Sequence, residues 1–240
     1  MSDSAHFAFD TVLFDVDGTL IDSNEAHAET WAEALREHGV SKSAQELRPL
    51  IGMGGDKLLP RAAGITEDSP QGQSIARRKQ ALFQERLPRL RPTPGARPLL
   101  EFLRRQRVEL VIATSAGDEE MSALLKQADV ADLFPTRASK SDARESKPDP
   151  DIVQAALIRS DAQPDSTVLV GDTPYDIEAA GRAGIAAIAL RCGGYWSDHH
   201  LESAITILDD PAALLASWES RVRDTTAFQL GKRNASNSPG

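Results

Sequence analysis

Apolar positions in this chain follow two regimes that change near residue 95. The run Val12-Leu13-Phe14 is short and continuous, which predicts a buried strand over 11–17. Gly18 then permits a sharp turn. Over 23–38 the spacing becomes helical: Ala26, Thr30, Trp31, Ala34 and Leu35 fall near one face, and Gly39 supplies the stop. Asp22, with Glu25 three residues on, has the spacing of a capping box at the start of that helix. From 41 to 90 no strand pattern occurs. Helices are expected over 45–50, 56–63 and 74–87, with Gly52-Met53-Gly54-Gly55 as a flexible loop. Pro88, Pro92, Pro94 and Gly95 then break the pattern.

Beyond Gly95 helices and strands alternate. Helices are expected over 96–106, 118–128, 150–160 and 176–183, and strands over 109–113, 135–139, 167–170 and 186–190, the last being the final one. Alternation of this kind predicts an α/β fold with a doubly wound, mainly parallel sheet. The helical block sits inside it, directly after the first strand. The expected organisation is a core of 1–21 and 92–224, a small all-helical domain of 22–91, and a polar tail over 225–240 expected to be disordered.

Composition narrows the function classes. The chain has 240 residues, 40% hydrophobic and 26% charged, with a formal net charge of −9. A broad face for a nucleic-acid backbone is therefore not expected, and an anionic small substrate would need a local cationic site. Cys192 is the only cysteine, so an intramolecular disulfide and a thiolate zinc cluster are both ruled out. The segment MSDSAHFAFD lacks a basic region followed by an apolar core, and no apolar run approaches membrane-spanning length. A cytoplasmic protein is expected.

The strand ends carry the chemistry. The first expected strand runs into Asp15 and Asp17, the second into Thr114 and Ser115, and the fourth into Gly171-Asp172, with Asp176 following; Lys147 lies in a loop held by Pro148 and Pro150. In an open parallel sheet those ends share one edge, where ligands bind. A lone Asp-x-Asp reads more readily as an acidic turn after a strand than as a site. Gathered together, Asp15, Asp17, Asp172 and Asp176 would repel one another, and a hard divalent cation held by oxygen ligands, Mg²⁺ above all, relieves that. A hydroxyl and a lysine beside the metal make a place for a phosphoryl group. The five histidines show no His-x-x-x-His spacing, and the pair His199-His200 reads as exposed loop.

In this arrangement the sequence resembles the haloacid dehalogenase (HAD) superfamily. The motifs are Asp15-Val16-Asp17-Gly18-Thr19, Thr114-Ser115, Lys147-Pro148-Asp149-Pro150 and Gly171-Asp172-Thr173-Pro174-Tyr175-Asp176, in the family's order. The resemblance covers residues 11 to about 195 and is nearest to the phosphoglycolate phosphatase and β-phosphoglucomutase type, in which a helical cap follows the first strand of a Rossmann-like core. It implies that Asp15 is a nucleophile forming an aspartyl phosphate. It implies that Asp17 is general acid and then base, that Thr114 and Ser115 bind the phosphoryl oxygens, and that Lys147 neutralises charge. Mg²⁺ would be held by Asp15, the backbone carbonyl of Asp17 and Asp172, with Asp176 acting through water.

The resemblance also points to residues that would read the leaving group: His27, Trp31, Arg48, the Gly52–Gly55 loop with Gly54, Lys57 and Lys79. The family's dehalogenases lack an acidic residue at the position of Asp17, so phosphoester chemistry is implied. The mutase pattern has an arginine near Gly55 that this chain lacks, which favours a phosphatase. A phosphohexomutase and a non-catalytic phosphate-binding protein stand as alternatives. The expected partner is a small-molecule phosphomonoester, with no nucleic acid and no membrane, and the assembly a monomer or homodimer.

Overall fold

The computed structural model describes residues 9–221; the expected tail over 225–240 lies outside them. Six strands form one parallel sheet in the order β3-β2-β1-β4-β5-β6: β1 (Thr11–Phe14), β2 (Glu109–Ala113), β3 (Thr136–Ala138), β4 (Thr167–Gly171), β5 (Ala186–Leu190) and β6 (Thr206–Leu208). β1 is central, with Phe14 level with Ile112 on one side and Val170 on the other. The sheet is therefore parallel throughout, and its carboxyl edge brings the ends of β1, β2 and β4 side by side.

Strand periodicity divides the core between the two faces. Val12, Phe14, Ile112 and Val170 pack on one side against α5 (Ala96–Arg105), α6 (Asp118–Gln127) and a helical segment over 211–221. Leu13, Val111 and Leu169 pack on the other against α7 (Asp151–Ser160) and α8 (Pro174–Arg182). Both faces are covered, which is why the strands read as unbroken apolar runs rather than alternating ones.

Between β1 and α5 the chain forms α1 (Asn24–Glu37), α2 (Ala44–Leu47), α3 (Gly55–Ala63) and α4 (Pro70–Arg86). These helices bury a cluster of their own, with Trp31, Leu35, Leu47, Leu59 and Ile75 inside it. The start of α1 departs from the expected capping box. Asp22 is exposed and caps nothing; Ser23 occupies the cap position, and its hydroxyl is drawn away to Asp17 at 2.5 Å. A true capping box is found instead at Ser43 and Glu46 before α2. His199 and His200 are exposed as expected, though on a short helix, α9 (Asp198–Leu201). β6 is the strand missed by the pattern, an edge strand of three half-buried residues. No helix among the described residues is long and apolar enough to cross a membrane.

Leu13 sits fully buried in the central strand. Leu13→Ala should lower the unfolding free energy measured in urea by about 2–5 kcal/mol; an unchanged midpoint would contradict the placement of β1 at the centre.

Candidate active site

The backbone after β1 positions two carboxylates. The Asp15 amide donates to the Val170 carbonyl at 2.9 Å, extending the parallel ladder by one residue. Gly18 then takes φ +74°, and its amide closes onto the Ile21 carbonyl. Asp15 faces the sheet edge, where the Lys147 ammonium lies 2.6 Å from it and 2.7 Å from Asp176. Lys147 is completely buried. The second oxygen of Asp176 accepts from the Thr173 amide and hydroxyl at the start of α8, so its carboxylate is fixed by the helix cap.

Asp172 is held from the other side. The Thr19 hydroxyl donates to one of its oxygens at 3.1 Å and the Asn24 amide to the other at 2.8 Å. The backbones of Gly18 and Gly193 close directly on it: a Cβ added at Gly193 would lie 1.8 Å from the Asp172 carboxylate. Only glycine fits there.

Asp15, Asp172 and Asp176 present carboxylate oxygens within 4.8 Å of one another. Three carboxylates against the single Lys147 ammonium leave two negative charges uncompensated. Burial pushes the Asp15 carboxyl up to about 7 from an ordinary 3.8; Lys147 limits the rise, and Asp176 and Asp17 add to it. Burial, with Asp176 and Asp15, likewise drives Asp172 well above its usual range, against the hydrogen bonds from Asn24 and Thr19. Burial alone would lower Lys147, but Asp15 and Asp176 outweigh it and hold it above the ordinary lysine range. An all-oxygen donor set short of two positive charges fits a hard divalent cation.

The Asp17 carboxylate does not join that cluster. It turns toward α1, accepting from the Ser23 hydroxyl at 2.5 Å and facing His27 Nε2 at 2.7 Å. Burial would raise it, but the charge of His27 and the hydrogen bonds from His27 and Ser23 hold it below the usual carboxylate value. The His27 ring is in turn stacked on Phe83, with centroids 4.0 Å apart.

A cavity of about 80 Å³ opens between this edge and the helical block. Asp15, Asp17, Thr114 and Ser115 line it from the sheet side, and His27, Gly54 and Lys79 from the helices. Thr114 Oγ1 accepts from the Ala116 amide, which leaves its own hydrogen to donate. Ser115 Oγ is buried with no hydrogen-bond partner among the described residues. Trp31 also lines the cavity.

Lys147 does not line the cavity: it lies behind Asp15 and acts on the cavity through it. Arg48 and Lys57 do not line it either. Arg48 bonds the Gly193 carbonyl at 2.9 Å, and Lys57 pairs with Glu145 and Asp149, so both tie the helical block to the sheet edge. Asn24, Thr19, Ser23 and Glu120 are site residues the sequence reading left without a role. Thr19 stood inside a quoted motif, whereas Glu120 looked like one of three acidic residues on an ordinary helix start.

A family model described as haloacid dehalogenase-like hydrolase matches residues 12–190. The chain belongs to that family. A phosphoglycolate phosphatase of Pseudomonas putida is 30% identical over 211 residues, 85% of this chain and 78% of the relative. A phosphorylated carbohydrates phosphatase of Thermotoga maritima is 27% identical, covering 88% and 95%. Among solved structures, a hydrolase from Pseudomonas syringae superposes with a TM-score of 0.81 at 28% identity, over 88% of this chain and 98% of that one. The fold of this haloacid dehalogenase-like hydrolase is thus matched along nearly all of its described length.

Lys147→Met leaves Asp15 and Asp176 buried without their cation. In EDTA at pH 8 the unfolding free energy should fall by about 3–5 kcal/mol, read by chemical denaturation. Protonating the carboxylates relieves the penalty, so the loss should shrink as the pH is lowered toward 5. A variant as stable as the wild type at pH 8 would show that the buried triad does not hold the edge together.

Proposed function

We propose that this protein is a Mg²⁺-dependent phosphomonoester hydrolase that acts on a small phosphorylated metabolite through an aspartyl phosphate on Asp15. The observation that carries the reading is a pair of carboxylates in one small cavity with opposite surroundings: Asp15 against a buried lysine, Asp17 against His27 and Ser23. The names of the phosphatase relatives support the reaction class.

In the first half of the reaction an Asp15 oxygen attacks phosphorus and the bond to the leaving oxygen breaks. Asp17 delivers a proton to that oxygen. The free carboxylate is an acceptor only, so His27 Nε2 carries the hydrogen of their bond. A phosphate dianion entering the cavity raises the affinity of Asp17 for a proton when the leaving group needs it. In the second half Asp17 takes a proton from water, which attacks phosphorus and frees Asp15. Thr114 and Ser115 offer hydroxyl hydrogens to the phosphoryl oxygens. Asp15, Asp172 and the Asp17 carbonyl would hold Mg²⁺, with Asp176 acting through water, and the ion would offset the charge of the phosphoryl group. The helices over 22–91 act as a cap that keeps bulk water and macromolecules from the site.

Asp15→Asn should reduce release of nitrophenol from p-nitrophenyl phosphate to background, and Asp17→Asn should reduce it about 10²–10⁴-fold, with both variants folded by circular dichroism. Turnover near the wild-type rate in Asp15→Asn would refute the assignment.

The pKa shift sets a second expectation. The folded Asp15 carboxyl titrates near 7 against an ordinary 3.8, so in metal-free protein its contribution to stability is present below about pH 4 and is lost as the pH rises to about 7. Mg²⁺ binds the deprotonated cluster and restores what is lost. The rise in Tm on adding Mg²⁺ should therefore be larger at pH 8 than at pH 5.5; an equal or opposite trend would count against the cluster as the metal site.

A further inference from the structure

The phosphatase reading says which bond breaks and leaves open what the phosphate is attached to. The cavity wall carries an ion pair that bears on this. Lys79 of α4 reaches across to Glu120 of α6, with Nζ 2.9 Å from the carboxylate. α4 belongs to the helical block and α6 to the α/β core, so the ion pair links the two at the cavity wall. Both side chains are largely withdrawn from solvent, at 9% and 17% exposure. Lys79 also sits 4.7 Å from the centre of the Phe83 ring, which fixes the ammonium from behind.

Beyond the pair lies a second chamber of about 310 Å³ that shares Trp31, Lys79, Ser115 and Glu120 with the inner cavity. Its walls carry four acidic residues (Glu67, Asp118, Glu119, Glu120) and three basic ones (Arg77, Lys79, Lys140). Lys140 is paired with Glu67 at 2.6 Å, Lys79 with Glu120, and Arg77 is exposed. A leaving group that extends from the phosphorus toward this chamber runs along Lys79 and Glu120, which line both.

We propose that this pair is the specificity determinant of the site, selecting phosphomonoesters whose leaving group is a neutral polyol or sugar and rejecting those that carry a second anion. The inference rests on the phosphatase reading and names its substrate class. Lys79 only donates hydrogen bonds and the Glu120 carboxylate only accepts them. A hydroxyl does both, so it inserts between them, accepting from the ammonium and donating to the carboxylate. A carboxylate or second phosphate satisfies Lys79 alone and is repelled by Glu120, an arrangement that discriminates by repulsion as well as attraction. The Trp31 indole, on the wall of both chambers, offers the carbon face of a polyol an apolar surface. The same repulsion acts on a bisphosphate, which a mutase must accommodate.

The test uses glycerol 3-phosphate and 3-phosphoglycerate, which differ in a hydroxymethyl against a carboxylate at one carbon. With the full chain and Mg²⁺, kcat/KM should favour glycerol 3-phosphate by about tenfold or more. In Glu120→Gln, which keeps the shape and removes the charge, the ratio should collapse to within roughly threefold, mainly through a gain on 3-phosphoglycerate. Glu120→Ala serves as the second variant and should collapse it in the same direction. A wild-type preference for 3-phosphoglycerate, or a ratio unmoved in both variants, would overturn the proposal.

Binding of the two esters to Asp15→Asn, measured by calorimetry with and without Glu120→Gln, reads the same preference without turnover. Absence of hydrolysis of every ester, p-nitrophenyl phosphate included, would sink the phosphatase reading. A missing preference in the calorimetry would sink this one.

Discussion

The buried ammonium of Lys147 is the constraint on which the rest of the site depends. It lies between Asp15 at the end of β1 and Asp176 at the start of α8, at 2.6 and 2.7 Å, with no access to solvent. Two carboxylates and a lysine taken out of water are stable only when each is held by further partners. Here the partners come from three separate segments: the β1 turn, the cap of α8, and the loop that carries Lys147. Moving any one of them would strand a charge, so the triad locks the sheet edge as much as it prepares the chemistry. It is still short of neutral once Asp172 is counted, and that deficit makes the edge receptive to a cation.

The same loop gives two aspartates, two residues apart, contrary environments. Asp15 is raised by burial among other carboxylates, while Asp17 is lowered by His27 and Ser23. Divergent titration of neighbouring groups accords with the divided acid, base and nucleophile roles proposed for them. The division is built by α1 rather than by the sheet: Ser23 gives up its capping hydroxyl, and His27 is oriented by its stack on Phe83. Part of the helix's own stability is exchanged for control of one carboxylate.

Much of this was legible in the sequence because its causes are local or periodic. Apolar runs marked four of the six strands and a weaker pattern marked β3, and residues at strand ends in a parallel sheet must share an edge, so Asp15, Thr114 and Asp172 could be placed together before any coordinates. β6 escaped because three half-buried residues at an edge carry little pattern, although Ile205-Thr206-Ile207-Leu208 is a β-branched run between polar flanks. Asp22 had the right spacing for a cap and was exposed instead, since the turn after Gly18 gave the cap position to Ser23. Asn24 and Glu120 were invisible for a different reason. Their partners, Asp172 and Lys79, are 148 and 41 residues away, and only tertiary packing decides that they meet.

The contacts between the helical block and the sheet edge differ in kind from those inside either body. Within the block, Trp31, Leu35, Leu59 and Ile75 form one apolar cluster, and the sheet buries two others. Across the site the links are polar: the Gly54 amide to Ser146, Ser146 to Asp56, Lys57 to Asp149, Arg48 to the Gly193 carbonyl, Lys140 to Glu67 and Lys79 to Glu120. Apolar contacts join the two on the side of Phe83, which packs with Leu90, Ala26 and Leu87 in the sheet's cluster beside His27. Polar links exchange for water at small net cost, whereas separating an apolar core does not. Around the cavity the helical block and the sheet edge are therefore joined mainly by links that a polar ligand can replace. Lys79 and Glu120 form one of these links; the ammonium alone would favour an anion and the carboxylate alone would repel one, and only the pair matches a hydroxyl.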